Sequence, residues 1–162
     1  MDKLHGDRVL HMAYMGEGMI RRDNEIWQYY LGDPHYHSWF NRTPPNRAVY
    51  RVVQRLDGFV SADAPYTGGT METRPFLFSG KKLLLNVKTE ATGDVQVGIE
   101  DEQGRPIPGF SAGDCIYINT DSVAASVSWP HRGSNVSSLA KKPVRLFFRM
   151  RGAKLFAFQF VA

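Results

Sequence analysis

The feature that most constrains the fold is a pair of segments in which apolar and polar residues alternate. The two segments are Lys82–Thr89 and Asp94–Asp101, and Glu90-Ala91-Thr92-Gly93 joins them. Alternate positions carry the apolar residues Leu83, Leu85, Val87, Val95, Val97 and Ile99. A period of two is typical of strands that have one buried and one solvent-facing side. We therefore interpret the pair as two neighbouring strands at the centre of an antiparallel β-sandwich.

The C-terminal part repeats this pattern. Val144–Arg151 and Lys154–Val161 both alternate, and Gly152-Ala153 between them predicts the turn of a hairpin. On the second arm we expect three side chains to point into the core together: Phe156, Phe158 and Phe160. Almost nothing in the sequence predicts a helix. The predicted fold class is therefore all-β, with a jelly-roll-like antiparallel β-sandwich.

The N-terminal part predicts a smaller β-unit. Three short strands are expected, at Arg8–Tyr14, Met19–Arg22 and Glu25–Leu31. Asp23-Asn24 predicts the turn of a hairpin between the last two, because Asp and Asn tolerate a positive φ. A small hairpin or meander of this kind is typical of one blade of a β-propeller. A proline-containing loop follows, so we predict a hairpin segment with its loop over residues 1–46 and the sandwich over residues 47–162.

Composition limits the classes of partner. The chain has 162 residues and one cysteine, which suits a single domain and excludes an intrachain disulfide. The 20 basic residues exceed the 16 acidic ones but are scattered along the chain, so we expect no nucleic-acid partner. No apolar run approaches the roughly 20 residues of a membrane span, so we expect no membrane partner. The N-terminus lacks the apolar core of a signal peptide. Because a longer, secreted or periplasmic parent protein is compatible with this, the localisation is unknown.

The acidic residues do not predict a catalytic pair. Glu100, Asp101 and Glu102 are consecutive, and consecutive side chains on a strand or turn diverge. A glycosidase needs two carboxyl groups that face each other at roughly 5–10 Å. Four other carboxylates have the sequence context of turn residues that bind backbone N–H groups, namely Asp57, Asp63, Asp114 and Asp121. Cys115 has no histidine near it in sequence and is expected to be buried and inert, so we predict no catalytic residue.

Two histidines in the loop raise the question of a metal. His35 and His37 lie two positions apart, so on extended backbone they would share a side, and Asp33 would complete half of a site. The competing interpretation is a surface loop whose histidines form ordinary hydrogen bonds. No third strong ligand occurs at a recognisable spacing. We therefore predict no metal and no cofactor.

Aromatic residues and histidines are dense in the N-terminal hairpin and its loop. The candidate carbohydrate-contacting residues are Trp27, Tyr29, Tyr30, His35, His37 and Trp39. Sugars place their C–H faces on aromatic rings while polar side chains bind the hydroxyl groups. The alternative interpretation is that these rings form a packing surface, which would bring copies of the chain together in a homo-oligomer through residues 1–46.

Several stretches resemble the C-terminal part of bacterial glycoside-hydrolase-like proteins that combine a five-bladed β-propeller with a β-sandwich. The stretches are GMIRRDNEIWQYYLG, RLDGFVSADAPYTGGT, GRPIPGFSAGDC and KKPVRLFFRMRGAKLFAFQF. The resemblance implies that residues 1–46 correspond to the last propeller blade and residues 47–162 to the sandwich. In such proteins the catalytic carboxylates come mainly from earlier blades, which this chain lacks.

Two functional interpretations follow from the resemblance. The first is a non-catalytic β-sandwich accessory module of a glycoside-hydrolase-like protein, with a structural role and carbohydrate contact, which shows no activity on its own. The second is a carbohydrate-active hydrolase whose site, around His35 and His37, is completed by oligomerisation. The resemblance favours the first interpretation. It also favours a packing role for the aromatic residues, since the last blade of a propeller packs against neighbouring blades.

Overall fold

A computed structural model describes residues 11–34 and 47–162 of the chain. The chain divides into two compact units between Leu56 and Asp57. Regular structure in the described residues is almost entirely antiparallel β, in two sheets, one of which is curled. The predicted all-β antiparallel fold class is therefore confirmed.

The N-terminal unit is built on one antiparallel sheet. Its strands are β1 (Met12–Met15), β2 (Ile20–Arg22), β3 (Glu25–Asp33) and β4 (Ala48–Arg55). Strands β1 and β2 pair with successive parts of one edge of β3, and β4 pairs along the other edge. The predicted hairpin turn between β2 and β3 is confirmed, with Asp23 at a φ of 51°. Strand β3 is thus the central strand, and its side chains lie between neighbours on both sides.

Strand β4 places the boundary between the units later in the chain than the predicted division between residues 46 and 47. Its register with β3 runs from Ala48 opposite Gly32 to Arg55 opposite Glu25. The sequence analysis assigns β4 to the sandwich as its first strand, because alternation identifies a strand but not its partner. The chain leaves the N-terminal sheet only after Leu56, whose N–H donates to the carbonyl of Asn24 at 2.8 Å.

The C-terminal unit contains one curled five-stranded sheet. Its strands are β5 (Ala62–Ala64), β6 (Gly69–Glu72), β7 (Lys82–Glu100), β8 (Asp121–Ser126) and β9 (Arg145–Val161). Strands β5 and β6 pair with one edge of β9, β7 pairs with its other edge, and β8 pairs with β7. Two single 3-10 turns, Ala112–Asp114 and Ser137–Leu139, are the only helical elements in this unit. The unit is therefore organised around the β7–β9 pair.

The two hairpins predicted at the centre and at the C-terminus do not form. Each is instead one long strand, and the two strands pair with each other from Lys82 opposite Val161 to Glu100 opposite Arg145. The register shifts between Thr89 and Asp94, where residues 90–93 bulge out of β7. We call the point where this bulge faces Gly152 the ribbon bend.

Two glycines and one asparagine hold the ribbon bend. A Cβ on Gly93 would lie 2.1 Å from the carbonyl oxygen of Gly152, so no side chain fits there. Gly152 has a φ of 49°, which glycine adopts without strain. The side-chain amide of Asn119 donates to the carbonyls of Gly93 at 2.6 Å and Glu90 at 3.2 Å. The backbone carbonyls of the bulge therefore accept hydrogen bonds from a side chain rather than from a hairpin turn within the bulge.

The core of the C-terminal unit follows the predicted alternation closely. Residues that are fully buried include Leu83, Leu85, Val87, Val95, Val97, Ile99, Val127, Trp129, Leu146 and Phe148. Phe158 and Phe160 pack against this core, but the half-exposed Phe156 is not part of it. Leu155 pairs with Val87 and Ala157 with Asn86, so Phe156 is the extra residue of a bulge. The prediction that three phenylalanines share one face is wrong for Phe156.

Candidate functional site

One side of the N-terminal sheet exposes a continuous set of aromatic, apolar and basic side chains, which we call the aromatic face. Residues directly opposite each other on paired strands lie on the same side of a sheet. The register therefore assigns to this face Met12, Tyr14, Ile20, Arg22, Glu25, Trp27, Tyr29, Leu31, Asp33, Val49, Arg51, Val53 and Arg55. Five of its large apolar residues are exposed: Tyr14, Ile20, Tyr29, Val49 and Val53.

Trp27 lies at the centre of the aromatic face. Its indole Nε1 donates to Glu25 Oε2 at 2.7 Å. The guanidinium carbons of Arg51 and Arg22 lie 4.0 and 4.8 Å from the ring centroid, within the range of cation–π attraction. Arg22 belongs to β2 and Arg51 to β4, on opposite edges of β3, so the two guanidinium groups approach the indole from two sides.

Tyr29 is the more accessible of the two aromatic candidates on this face. Its side chain is 39% exposed, and its partner across the β3–β4 pair is Arg51. Trp27 and Tyr29 are two positions apart on β3, so they lie on the same side of the sheet with their Cα atoms roughly 7 Å apart. The two rings and the guanidinium groups together present apolar surface and hydrogen-bond donors at one place.

The structure separates Tyr30 from these two residues. Tyr30 lies on the opposite side of β3, is 8% exposed, and stacks on Tyr50 with ring centroids 5.1 Å apart. It therefore stabilises the β3–β4 pair rather than contributing to the aromatic face. The other candidates, His35, His37 and Trp39, lie outside the described residues.

Asp33, the third member of the hypothetical metal half-site, is engaged by an arginine. Asp33 is 2% exposed, and its Oδ2 accepts a hydrogen bond from Arg47 Nε at 2.7 Å. This ion pair lies next to the end of the β3–β4 ladder, where Ala48 pairs with Gly32. Within residues 11–34 and 47–162, no group of three His, Cys, Asp or Glu side chains is placed to hold a metal ion.

A second feature, in the C-terminal unit, is an open cleft of about 390 Å³ beside the ribbon bend. Its lining includes Asp63, Tyr66, Glu90 and Lys154. Hydrogen bonds from the Lys154 ammonium and then from the Ser61 hydroxyl hold the pKa of Asp63 below its usual value. The sequence suggested a turn carboxylate, whereas the partner lies on β9, far away in the chain. Asp63 and Lys154 of this cleft are thus already paired with each other.

Three strands also bring two acids together around Arg145. Arg145 Nη1 lies 2.7 Å from Glu72 Oε1, which forms an ion pair between β9 and β6. Burial, followed by the nearby charge of Glu72, raises the pKa of Glu100 at the end of β7. The sequence did not predict that Glu72 and Glu100 lie close together, because their strands share the neighbour β9, which could not be identified from the sequence.

Asp101 closes a turn, and Cys115 is buried as the sequence suggested. Asp101 accepts from the backbone N–H groups of Arg105 and Gln103, and the Arg105 backbone bond is the first cause of its lowered pKa. Cys115 is buried, and burial raises the pKa of its thiol. A buried thiol with a raised pKa is a poor nucleophile. Neither residue therefore offers a reactive group.

No helix in the part of the chain that the structure describes is long and apolar enough to cross a membrane. Comparison with known protein families found no family that matches the chain, and neither a curated protein nor a solved structure matches it.

Proposed function

We propose that this chain is a non-catalytic β-sandwich accessory module of a glycoside-hydrolase-like protein, and that it contacts carbohydrate through the aromatic face. The observation that carries the proposal is the exposed ring of Tyr29 beside the arginine-flanked Trp27, on one side of a sheet. A sheet offers a flat surface, and an exposed ring on it suits contact with an extended sugar chain. The sequence resemblance to glycoside-hydrolase-like proteins supports the same function.

Polar groups around the rings support sugar contact further. Sugar hydroxyl groups need donors and acceptors at the edge of an aromatic platform, and a charged partner makes such hydrogen bonds stronger. Arg22 and Arg51 supply donors next to Trp27, and Glu25 supplies an acceptor. An exposed apolar patch with such a polar rim is typical of a binding surface.

Three of the described carboxylates support a non-catalytic role. Asp63 is paired with Lys154, Asp101 closes a turn with Arg105, and Glu72 is bound by Arg145. A retaining or inverting glycosidase keeps one carboxylate free to attack sugar or activate water. Carboxylates that are held by neighbouring cations do not match that requirement.

One observation favours the alternative function, a carbohydrate-active hydrolase. A general acid needs a raised pKa, and burial together with Glu72 raises that of Glu100. Aryl-glycoside hydrolysis that survives repurification and is abolished by Glu100→Gln would establish this alternative. Under the proposal, the wild-type chain and the variant both show no turnover above buffer.

Isothermal titration of the whole chain with neutral oligosaccharides of several linkage types tests the proposal. We expect weak binding of at least one, and a loss of about tenfold or more in affinity for Tyr29→Ala, because the variant removes the exposed ring beside Trp27. Tyr117→Ala is the matched control, since Tyr117 is an exposed tyrosine of the C-terminal unit. No binding to any glycan, or equal losses in both variants, would contradict the proposal.

Self-association through residues 1–46 stays a prediction. A homo-oligomer would cover exposed apolar side chains such as Tyr14 and Ile20, which lie on the aromatic face. Sedimentation of the whole chain over a wide concentration range tests this, with Ile20→Lys as the variant that should shift any oligomer toward monomer.

A further inference from the structure

The two arginines beside Trp27 lie within cation–π distance of its ring and form no ion pair with a described carboxylate. A guanidinium group that stacks on an aromatic ring keeps its donors in its own plane, where they can bind a carboxylate or sulfate in bidentate fashion. Both side chains are exposed. No described carboxylate forms an ion pair with Arg22 or Arg51, and the nearest acid on this face, Glu25, accepts from the indole.

The charge on this face is unbalanced. Arg22, Arg51 and Arg55 share the aromatic face with two acids, Glu25 and Asp33, and Asp33 forms an ion pair with Arg47. The guanidinium groups of Arg22 and Arg51 contact the same ring, so two positive charges lie beside it. An anion bound next to the ring is attracted by both charges, whereas a neutral ligand is not.

We propose that the aromatic face binds an acidic polysaccharide, whose sugar rings lie on Tyr29 and the apolar strand residues and whose carboxylate or sulfate groups bind Arg22 and Arg51. This inference rests on the proposed function and names its ligand class. Recognition combines apolar contact, which depends on the ring, with charge-assisted hydrogen bonds, which depend on the arginines.

The same arginines argue against a single-stranded nucleic acid. Proteins that bind single strands stack successive bases on open aromatic rings. The indole of Trp27 is flanked by two guanidinium groups, which leaves Tyr14 and Tyr29 as the exposed aromatic rings of this face. A polysaccharide needs fewer free rings because its hydroxyl and acid groups contribute the remaining contacts.

Titration with a matched pair of ligands tests the inference on the whole chain. The probes are an oligogalacturonate and its fully methyl-esterified form, which differ in charge but share the sugar backbone. A sulfated oligosaccharide and a single-stranded oligouridylate of similar length complete the set. We expect the acid form to bind about tenfold or more tightly than the ester at low salt, and the difference to shrink as salt is raised.

Three variants locate the effect. Arg51→Gln and Arg22→Gln should each remove most of the preference for the acid form and leave the weaker binding of the ester. Arg132→Gln is the matched control, since Arg132 lies 5.5 Å from the ring of Phe110 in the C-terminal unit. It should leave the preference unchanged. Circular dichroism of each variant checks that the fold is retained.

The outcomes separate this inference from the proposed function. Equal binding of acid and ester would overturn the acidic-ligand inference and leave carbohydrate contact standing. Tighter binding of oligouridylate than of either acidic glycan would overturn it in favour of a nucleic-acid surface. Absence of binding to every glycan would overturn both proposals.

Discussion

The two units use the same strand pattern for opposite purposes. In the C-terminal unit alternation buries one side of every long strand, so that Leu85, Val97 and Phe148 are inaccessible to solvent. In the N-terminal sheet the described large apolar side chains that are buried are Ile26 and Tyr30, while five others on the aromatic face are exposed. Period-two alternation therefore identifies a strand in both units, but it identifies a core in only one of them.

The largest expected contrast between the units is in stability. Leu85→Ala should lower the free energy of unfolding by roughly 2–5 kcal/mol, because it leaves a cavity in a closed core. Val49→Ala on the aromatic face should change it by less than about 0.5 kcal/mol, since Val49 is 71% exposed. Urea unfolding of both variants measures the contrast. Similar losses for the two would mean that the aromatic face is packed.

The glycines should show a smaller contrast of the same kind. Gly93→Ala forces a Cβ against the Gly152 carbonyl and should cost roughly 1–3 kcal/mol by displacing the ribbon bend. Gly18→Ala meets no atom within 4 Å and only has to adopt a φ of 86°, so about 1 kcal/mol is expected. Thermal unfolding of both variants tests the order. A Gly93→Ala protein as stable as the wild type would show that the bend tolerates a side chain.

The smallest expected effects are those of pH, and they have opposite signs at two neighbouring acids. The pKa of Glu100 is raised, so its ionisation disfavours the folded state and Glu100→Gln should stabilise the protein at neutral pH. The pKa of Asp101 is lowered, so its ionisation favours the folded state and Asp101→Asn should destabilise it there.

Unfolding curves from pH 7 down to pH 3 test these signs. The gain from Glu100→Gln should disappear below the ordinary pKa of a glutamate, where both states are protonated. The loss from Asp101→Asn should disappear as the pH falls through the lowered pKa of Asp101. A Glu100→Gln protein that is less stable at neutral pH would show that the carboxylate is stabilised by Arg145 rather than penalised by burial.

The sequence predicted the core better than the connections. Alternation identified the buried apolar residues of β7, because side-chain direction on a strand is a local property, but it missed the buried Asn86 and Gln96 of β7 and Leu155 of β9. It could not distinguish a bend from a turn at Glu90-Ala91-Thr92-Gly93. That distinction depends on Gly152 and Asn119, which reach the bulge from elsewhere in the chain. Phe156 was misassigned for the same reason, since a bulge is a property of the pair of strands.

The candidate site was predictable in part. Strand parity alone separates Tyr30 from Trp27 and Tyr29, and the turn at Asp23-Asn24 places Arg22 on the same side as Trp27. That signal was available in the sequence but was not used. The position of Arg51 beside the indole was not predictable. It depends on the register of β4 with β3, and residues 35–46 separate these two strands in the sequence.

The central claim is that ligand binds on the aromatic face and not in the cleft beside the ribbon bend. Backbone amide chemical shifts of the whole chain, recorded by NMR during titration with the oligogalacturonate, test it most directly. The account predicts that the largest shifts map to the amides of Arg22, Trp27, Tyr29 and Arg51, with those of Tyr66 and Lys154 unchanged. Shifts concentrated at Tyr66, Glu90 and Lys154 would contradict it.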